Sequence, residues 1–157
     1  MTREEQFMNE AVKAGLQGMR KSEGGPFGCV IVKDDVIIAS GCNRVIVEND
    51  PTAHAEIVAI REACKKLQNF QLNDCEIYAS CEPCPMCMGA IYWARPKIIY
   101  YANTSKDAAD IGFDDSFIYN ELNEPIGKRK IKIQQLPSAE AKQMFEEWKL
   151  KNNKTLY

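Results

Sequence analysis

Apolar side chains recur at helical spacing over residues 4–20, at Phe7, Met8, Ala11, Val12, Ala14, Gly15 and Met19, so the chain opens with an amphipathic helix. Gly24-Gly25-Pro26 breaks that pattern. Residues 27–32 and 36–40 are apolar and rich in β-branched side chains, and Lys33-Asp34-Asp35 joins them as a hairpin. Asp50-Pro51 has the form of an N-cap followed by a proline at the first helical position, which predicts a helix to about residue 67. Residues 75–79 predict a short strand. Pro83 opens a further helix, from 84 to about 94, and 97–102 has the composition of a buried strand. Residues 103–126 are less regular, with a helical turn or two over 105–111. Residues 130–136 alternate charged and apolar side chains, predicting a half-exposed strand. Ser138 caps a last helix to about 151, with Glu140 in its first turn. The order α-β-β-α-β-α-β-α-β-α predicts an α/β fold, a three-layer α/β/α sandwich around a central five-stranded mixed sheet.

Composition narrows the chemistry. The chain has 157 residues, with 20 Lys plus Arg against 22 Asp plus Glu, a formal net charge of −2. That length suits one domain over 1–157, and it buries enough surface to fold without disulfides or a structural metal. The charge balance argues against a nucleic-acid groove, which needs a basic excess. The first residues, Met-Thr-Arg-Glu-Glu-Gln, lack the basic start and apolar core of a signal peptide, and no apolar run approaches the ~18 residues of a spanning helix. A cytoplasmic protein with no membrane partner is therefore expected, and its cysteines are expected to be reduced. There are seven cysteines and a single histidine, His54.

Two segments concentrate the reactive residue types. His54-Ala55-Glu56 lies near the start of one predicted helix, and Pro83-Cys84-Pro85-Met86-Cys87 at the start of the next. Residues three apart share a helical face, so Cys84 and Cys87 can grip one ion, and a helix N-terminus favours the ionised thiol. With His54 they form a three-ligand zinc site whose fourth position is open to water, the arrangement of a catalytic zinc. Zinc lowers the pKa of bound water to about 7, and Glu56, outside the ligand set, can carry protons. His-x-Glu followed by Pro-Cys-x-x-Cys is the signature of zinc-dependent nucleobase deaminases. Cys81 leaves a second arrangement open, a closed Cys₃His site without a free position. An iron–sulfur cluster is excluded, because no fourth cysteine follows at the required spacing. Cys29, Cys42, Cys64 and Cys75 are core filler.

Through Pro51-Thr52-Ala53-His54-Ala55-Glu56 and Ser80-Cys81-Glu82-Pro83-Cys84-Pro85-Met86-Cys87, the chain resembles the cytidine/deoxycytidylate deaminase superfamily. Further likeness lies in Gly24-Gly25-Pro26-Phe27-Gly28, Gly41-Cys42-Asn43, Gly89-Ala90-Ile91-Tyr92-Trp93-Ala94-Arg95, Gly112-Phe113-Asp114-Asp115-Ser116-Phe117-Ile118-Tyr119 and the terminal Tyr157. Those segments resemble the bacterial guanine deaminases within the superfamily. The resemblance implies a cytidine deaminase-like fold and hydrolysis of guanine to xanthine and ammonia, in purine catabolism or salvage. It implies one Zn2+ per subunit on His54, Cys84 and Cys87, with Glu56 moving protons. It also implies a purine-anchoring amide at Asn43, aromatic walls at Phe27 and Trp93, and closure over the base by Asp115 and Tyr157. A homodimer is implied too, with the C-terminal segment, about 120–157, exchanged between subunits.

Taken singly, these residues have plainer explanations. Asn43 serves as a turn after a strand, Phe27 and Trp93 as core aromatics, Asp114-Asp115 as a cap or solvated loop, and Tyr157 as a frayed end. Rival functions are a tRNA adenosine deaminase, a cytosine deaminase and a non-catalytic zinc-stabilised binding module. The first needs a basic surface for an anticodon stem-loop, whereas Lys128-Arg129-Lys130-Ile131-Lys132 has the look of a solvated face.

Overall fold

The computed structural model describes residues 1–157, which divide into two compact units, Met1–Asp115 and Ser116–Tyr157. The first unit begins with α1 (Arg3–Arg20), opened by a capping box. The Thr2 hydroxyl accepts from Glu5 N, and the Glu5 carboxylate accepts from Thr2 N at 2.8 Å. Strands β1 (Gly28–Lys33) and β2 (Val36–Cys42) form the expected antiparallel hairpin, with a register shift between Ile31 and Val32. Helices α2 (Val45–Glu48) and α3 (Ala55–Leu67) follow, then β3 (Cys75–Cys81), α4 (Pro85–Ala94), β4 (Ile98–Asn103) and α5 (Ser105–Asp110). The sheet order is β2-β1-β3-β4, with β1 antiparallel to both neighbours and β3 parallel to β4 across the α4 crossover.

Alternation along the inner strands builds two cores. Cys29, Ile31, Cys75 and Ile77 face α3 and α4, where they meet Ala55, Ala59, Ala63, Ile91 and Ala94. Val30, Val32 and Tyr78 face α1 and meet Ala11, with Phe7 and Met8 alongside. Both faces of the sheet are therefore covered, giving the three layers predicted. α1 lies against β1 at its two small residues: a Cβ on Gly28 would run into the Ala11 carbonyl and the Gly15 amide, and one on Gly15 would stand 2.9 Å from Gly28 N.

Four of the expectations need correction. The mixed sheet has four strands rather than five, because residues 130–136 form no ladder and Ile131, Ile133 and Leu136 stand exposed. Their alternation has the period of a strand, but a strand also needs a hydrogen-bonded neighbour. β4 is an exposed edge rather than a buried strand, with Ile98 and Tyr101 open to solvent. The helix expected from Asp50 starts at Ala55. The Asp50 carboxylate instead accepts from Thr52 N at 2.8 Å and from the Thr52 hydroxyl, closing a local Asx turn before His54. Cys84, not Pro83, is the N-cap of α4, and Pro85 takes the first helical position.

The second unit holds α6 (Ser116–Asn123), a single 3₁₀ turn (Ile126–Lys128) and α7 (Ala139–Leu150), capped by the Ser138 hydroxyl as expected. None of its residues is buried. No helix of the protein is long and apolar enough to cross a membrane.

Candidate metal centre and substrate pocket

Two helix N-termini supply the reactive side chains. His54 is the N-cap of α3 and Cys84 the N-cap of α4, both with extended backbone. Neither side chain caps its own helix; each is turned instead toward the other. His54 Nδ1 lies 3.5 Å from Cys84 Sγ and 3.5 Å from Cys87 Sγ. All three donor atoms stand within 4.8 Å of one another. Ligand atoms arranged tetrahedrally about zinc at ~2.0–2.3 Å lie about 3.5 Å apart, so one imidazole nitrogen and two sulfurs fit zinc in both chemistry and spacing.

Electrostatics inside the cluster point the same way. The Cys87 thiol donates toward Cys84, which against the cost of burial lowers the Cys84 thiol to about 4, with His54 assisting. Cys87, holding that shared proton and buried, is pushed far up. His54 is raised above its usual 6.5, chiefly by its bond to Cys84. A proton shared among two sulfurs and an imidazole marks a place where a soft divalent cation binds by displacing it.

Glu56, in the first turn of α3, is 8% exposed, and its Oε2 lies 3.5 Å from Cys87 Sγ. Burial pushes its carboxyl above the ordinary glutamate range. It is outside the three-donor group, as the sequence spacing predicts. Cys81 is also outside it: its thiol is directed to the Thr104 carbonyl at 3.6 Å rather than to the three donors. Burial raises the Cys81 thiol to about 11, which keeps it protonated.

The other candidate residues have distinct surroundings. Asn43, at the end of β2, is buried; its Oδ1 accepts from Val45 N at 3.1 Å and its backbone N donates to Phe27 O at 3.0 Å. Phe27 is half-buried and meets Phe113 edge to face, with ring centroids 4.9 Å apart. Asp115 is half-buried, and burial followed by the nearby Cys84 raises its carboxyl. The structure thus gathers His54, Glu56, Cys84 and Cys87, with Asp115 close enough to feel Cys84. Trp93 is 63% exposed on α4 rather than part of the core, and Tyr157 belongs to the second unit. Phe113 was not singled out from the sequence, although an aromatic two residues before Asp115 was the available signal. Ser80 was also missed: it is buried, and its hydroxyl accepts from Gly28 N at 2.9 Å, fixing the residue after Phe27.

Comparison with known proteins agrees with this geometry. The cytidine and deoxycytidylate deaminase zinc-binding region matches residues 1–103. A guanine deaminase from Bacillus subtilis (strain 168) is 54% identical over 153 residues, covering 98% of each chain. The X-ray structure of guanine deaminase from that organism superposes with a TM-score of 0.95 over 98% of each chain. A tRNA-specific adenosine deaminase from Aquifex aeolicus (strain VF5) is more distant, at 36% identity over 152 residues, 95% of this chain and 97% of that one.

Proposed function

The chain belongs to the cytidine and deoxycytidylate deaminase family, and from that premise we propose that it hydrolyses guanine to xanthine and ammonia. The observation that carries the reading is the open three-donor group with the buried Glu56 carboxylate beside it, in a chain similar along its whole length to a guanine deaminase. His54, Cys84 and Cys87 hold one zinc ion, which supplies Lewis-acid activation of a water at neutral pH. Water adds its oxygen to C2 of guanine as the double bond from C2 to its ring nitrogen opens, and the bond from C2 to the exocyclic nitrogen then breaks as the C2 carbonyl forms, releasing ammonia. Glu56 is the proton carrier. Its carboxylate takes one proton from the attacking water and passes it to the ring nitrogen, then carries the second, from the added hydroxyl, to the departing amine. Burial suits it to this work, because a raised carboxyl pKa brings acid and base forms closer to neutral pH.

Guanine offers N1–H and the exocyclic amine as donors, which a carboxylate such as Asp115 accepts. Asn43 anchors the purine through its amide, and Phe27 and Trp93 wall the base. The active protein is a homodimer in which about 120–157 is exchanged, so that Tyr157 of one subunit serves the site of the other. Supporting this, the whole of 116–157 buries none of its residues while exposing Phe145, Trp148, Leu136 and Leu150, an apolar surface that calls for a partner. Seven free cysteines suit the reducing cytoplasm. The role is purine breakdown or salvage on a free base.

Ammonia release measured across guanine, adenine, cytosine, guanosine, cytidine and an adenosine-containing tRNA anticodon stem-loop tests the assignment. Guanine is expected to dominate, whereas preferential turnover of the stem-loop would transfer the chain to the tRNA adenosine deaminases.

A further inference from the structure

Asn43 is held by a device that lies outside the reactive centre. The turn leaving α1 begins where Glu23 N donates to Gly18 O at 3.0 Å. The Glu23 carboxylate, largely shielded, then reaches the residues on both sides of Asn43. Its Oε2 accepts from the Cys42 thiol at 3.2 Å and from Arg44 Nη1 at 3.0 Å. The Glu23 backbone carbonyl accepts from Ile46 N at 3.2 Å and Val47 N at 3.1 Å, tying in the start of α2. Arg44 is fixed a second time, by Glu48 through Nε at 2.6 Å. Burial and the bond to Glu23 both push the Cys42 thiol up, so it stays protonated and keeps donating. Gly24 presses on the amide itself: a Cβ there would overlap Asn43 Oδ1 and stand 2.6 Å from the Asn43 carbonyl oxygen.

The result is an amide with one orientation. Oδ1 accepts from Val45 N, which fixes which end of the amide is the oxygen and leaves the Nδ2 hydrogens to serve an acceptor. We propose that Glu23 is a positioning residue: through Cys42, Arg44 and the turn to Gly24 it locks the Asn43 amide so that Nδ2 is presented to a hydrogen-bond acceptor on the substrate. This rests on the deaminase reading and deepens it, because guanine carries such acceptors at its ring nitrogens and O6. The bonds of the Glu23 carboxylate go to Cys42 and Arg44 and not to His54, Cys84 or Cys87.

A double-mutant cycle in the zinc-loaded protein tests this. Glu23→Ala is expected to lower kcat/KM for guanine by about tenfold to a hundredfold, the scale of an anchor misplaced by ~1 Å, with zinc content unchanged. In an Asn43→Ala background, Glu23→Ala is expected to add less than about twofold, since the group it acts through is gone. Equal losses in both backgrounds, or no loss in the parent protein, would overturn the proposal. Arg44→Met, made on the half-exposed side of the same cluster, serves if Glu23→Ala fails to fold, and is expected to show the same non-additivity. The side-chain amide resonances of Asn43, assigned by their absence in Asn43→Ala, give a readout independent of substrate. They are expected to shift or broaden in Glu23→Ala, and an unchanged pair would contradict the lock. If the parent protein leaves guanine untouched, the substrate reading fails, while the resonances still decide the role of Glu23.

Discussion

Glu56→Gln separates proton transfer from metal binding. The substitution keeps the shape of a side chain that is 8% exposed and 3.5 Å from Cys87 Sγ, and removes only its ability to exchange a proton. General acid–base catalysis is worth ~10²–10⁴-fold, or about 3–5 kcal/mol of barrier at ~1.4 kcal/mol per tenfold. A loss in kcat of at least about a hundredfold is therefore expected. Zinc content should remain at one per chain, because the donor group is His54, Cys84 and Cys87 alone. Stability provides a control with a defined sign. Burial raises the Glu56 carboxyl above its ordinary 4.5, so between the unfolded and folded values the folded chain holds more protons and stability falls as pH rises. Glutamine lacks that penalty, and the metal-free variant should be at least as stable as the parent at neutral pH. Ammonia release, metal analysis and thermal unfolding read these quantities. Retention of a third or more of the parent activity, or loss of zinc, would refute the role of Glu56.

Other expectations follow from the same geometry. Cys81→Ser should keep one zinc per chain, since that thiol is directed to the Thr104 carbonyl; metal analysis showing loss would restore the closed four-ligand site. Gly28→Ala forces a methyl into the Ala11 carbonyl and Gly15 amide of α1. An overpacking cost of ~3 kcal/mol lowers the unfolding temperature by about 6–12 °C in a chain of this size, and a fall under ~2 °C would show that α1 yields freely. Deleting Tyr157 should weaken guanine turnover at unchanged unfolding temperature. An unchanged rate would remove the terminal ring from the site, and a monomer by light scattering would contradict the exchanged homodimer.

The parts legible in the sequence were those where one local rule decides. His54, Glu56, Cys84 and Cys87 stood out because ligand chemistry demands particular residue types at particular spacings, and the β1–β2 hairpin because its two apolar runs flank Lys33-Asp34-Asp35. Asp50-Pro51 misled because an Asx turn and an N-cap use the same carboxylate-to-amide bond; which one forms depends on residues further along. Residues 98–102 are apolar enough for a buried strand, yet β4 is an edge, a property set by which strand lies beside it. Residues 130–136 failed for the related reason that alternation predicts a face but supplies no partner. Glu23 was invisible for a different cause. An acidic residue before Gly24-Gly25-Pro26 looks solvated until the fold brings Cys42 and Arg44 to it from about twenty residues away.

Product stoichiometry tests the central claim most directly. Zinc-loaded protein incubated with guanine should yield xanthine and ammonia in equal amounts, with the activity removed by chelation and restored by zinc. Guanine recovered unchanged under conditions where adenine, cytosine or the tRNA stem-loop releases ammonia would contradict it.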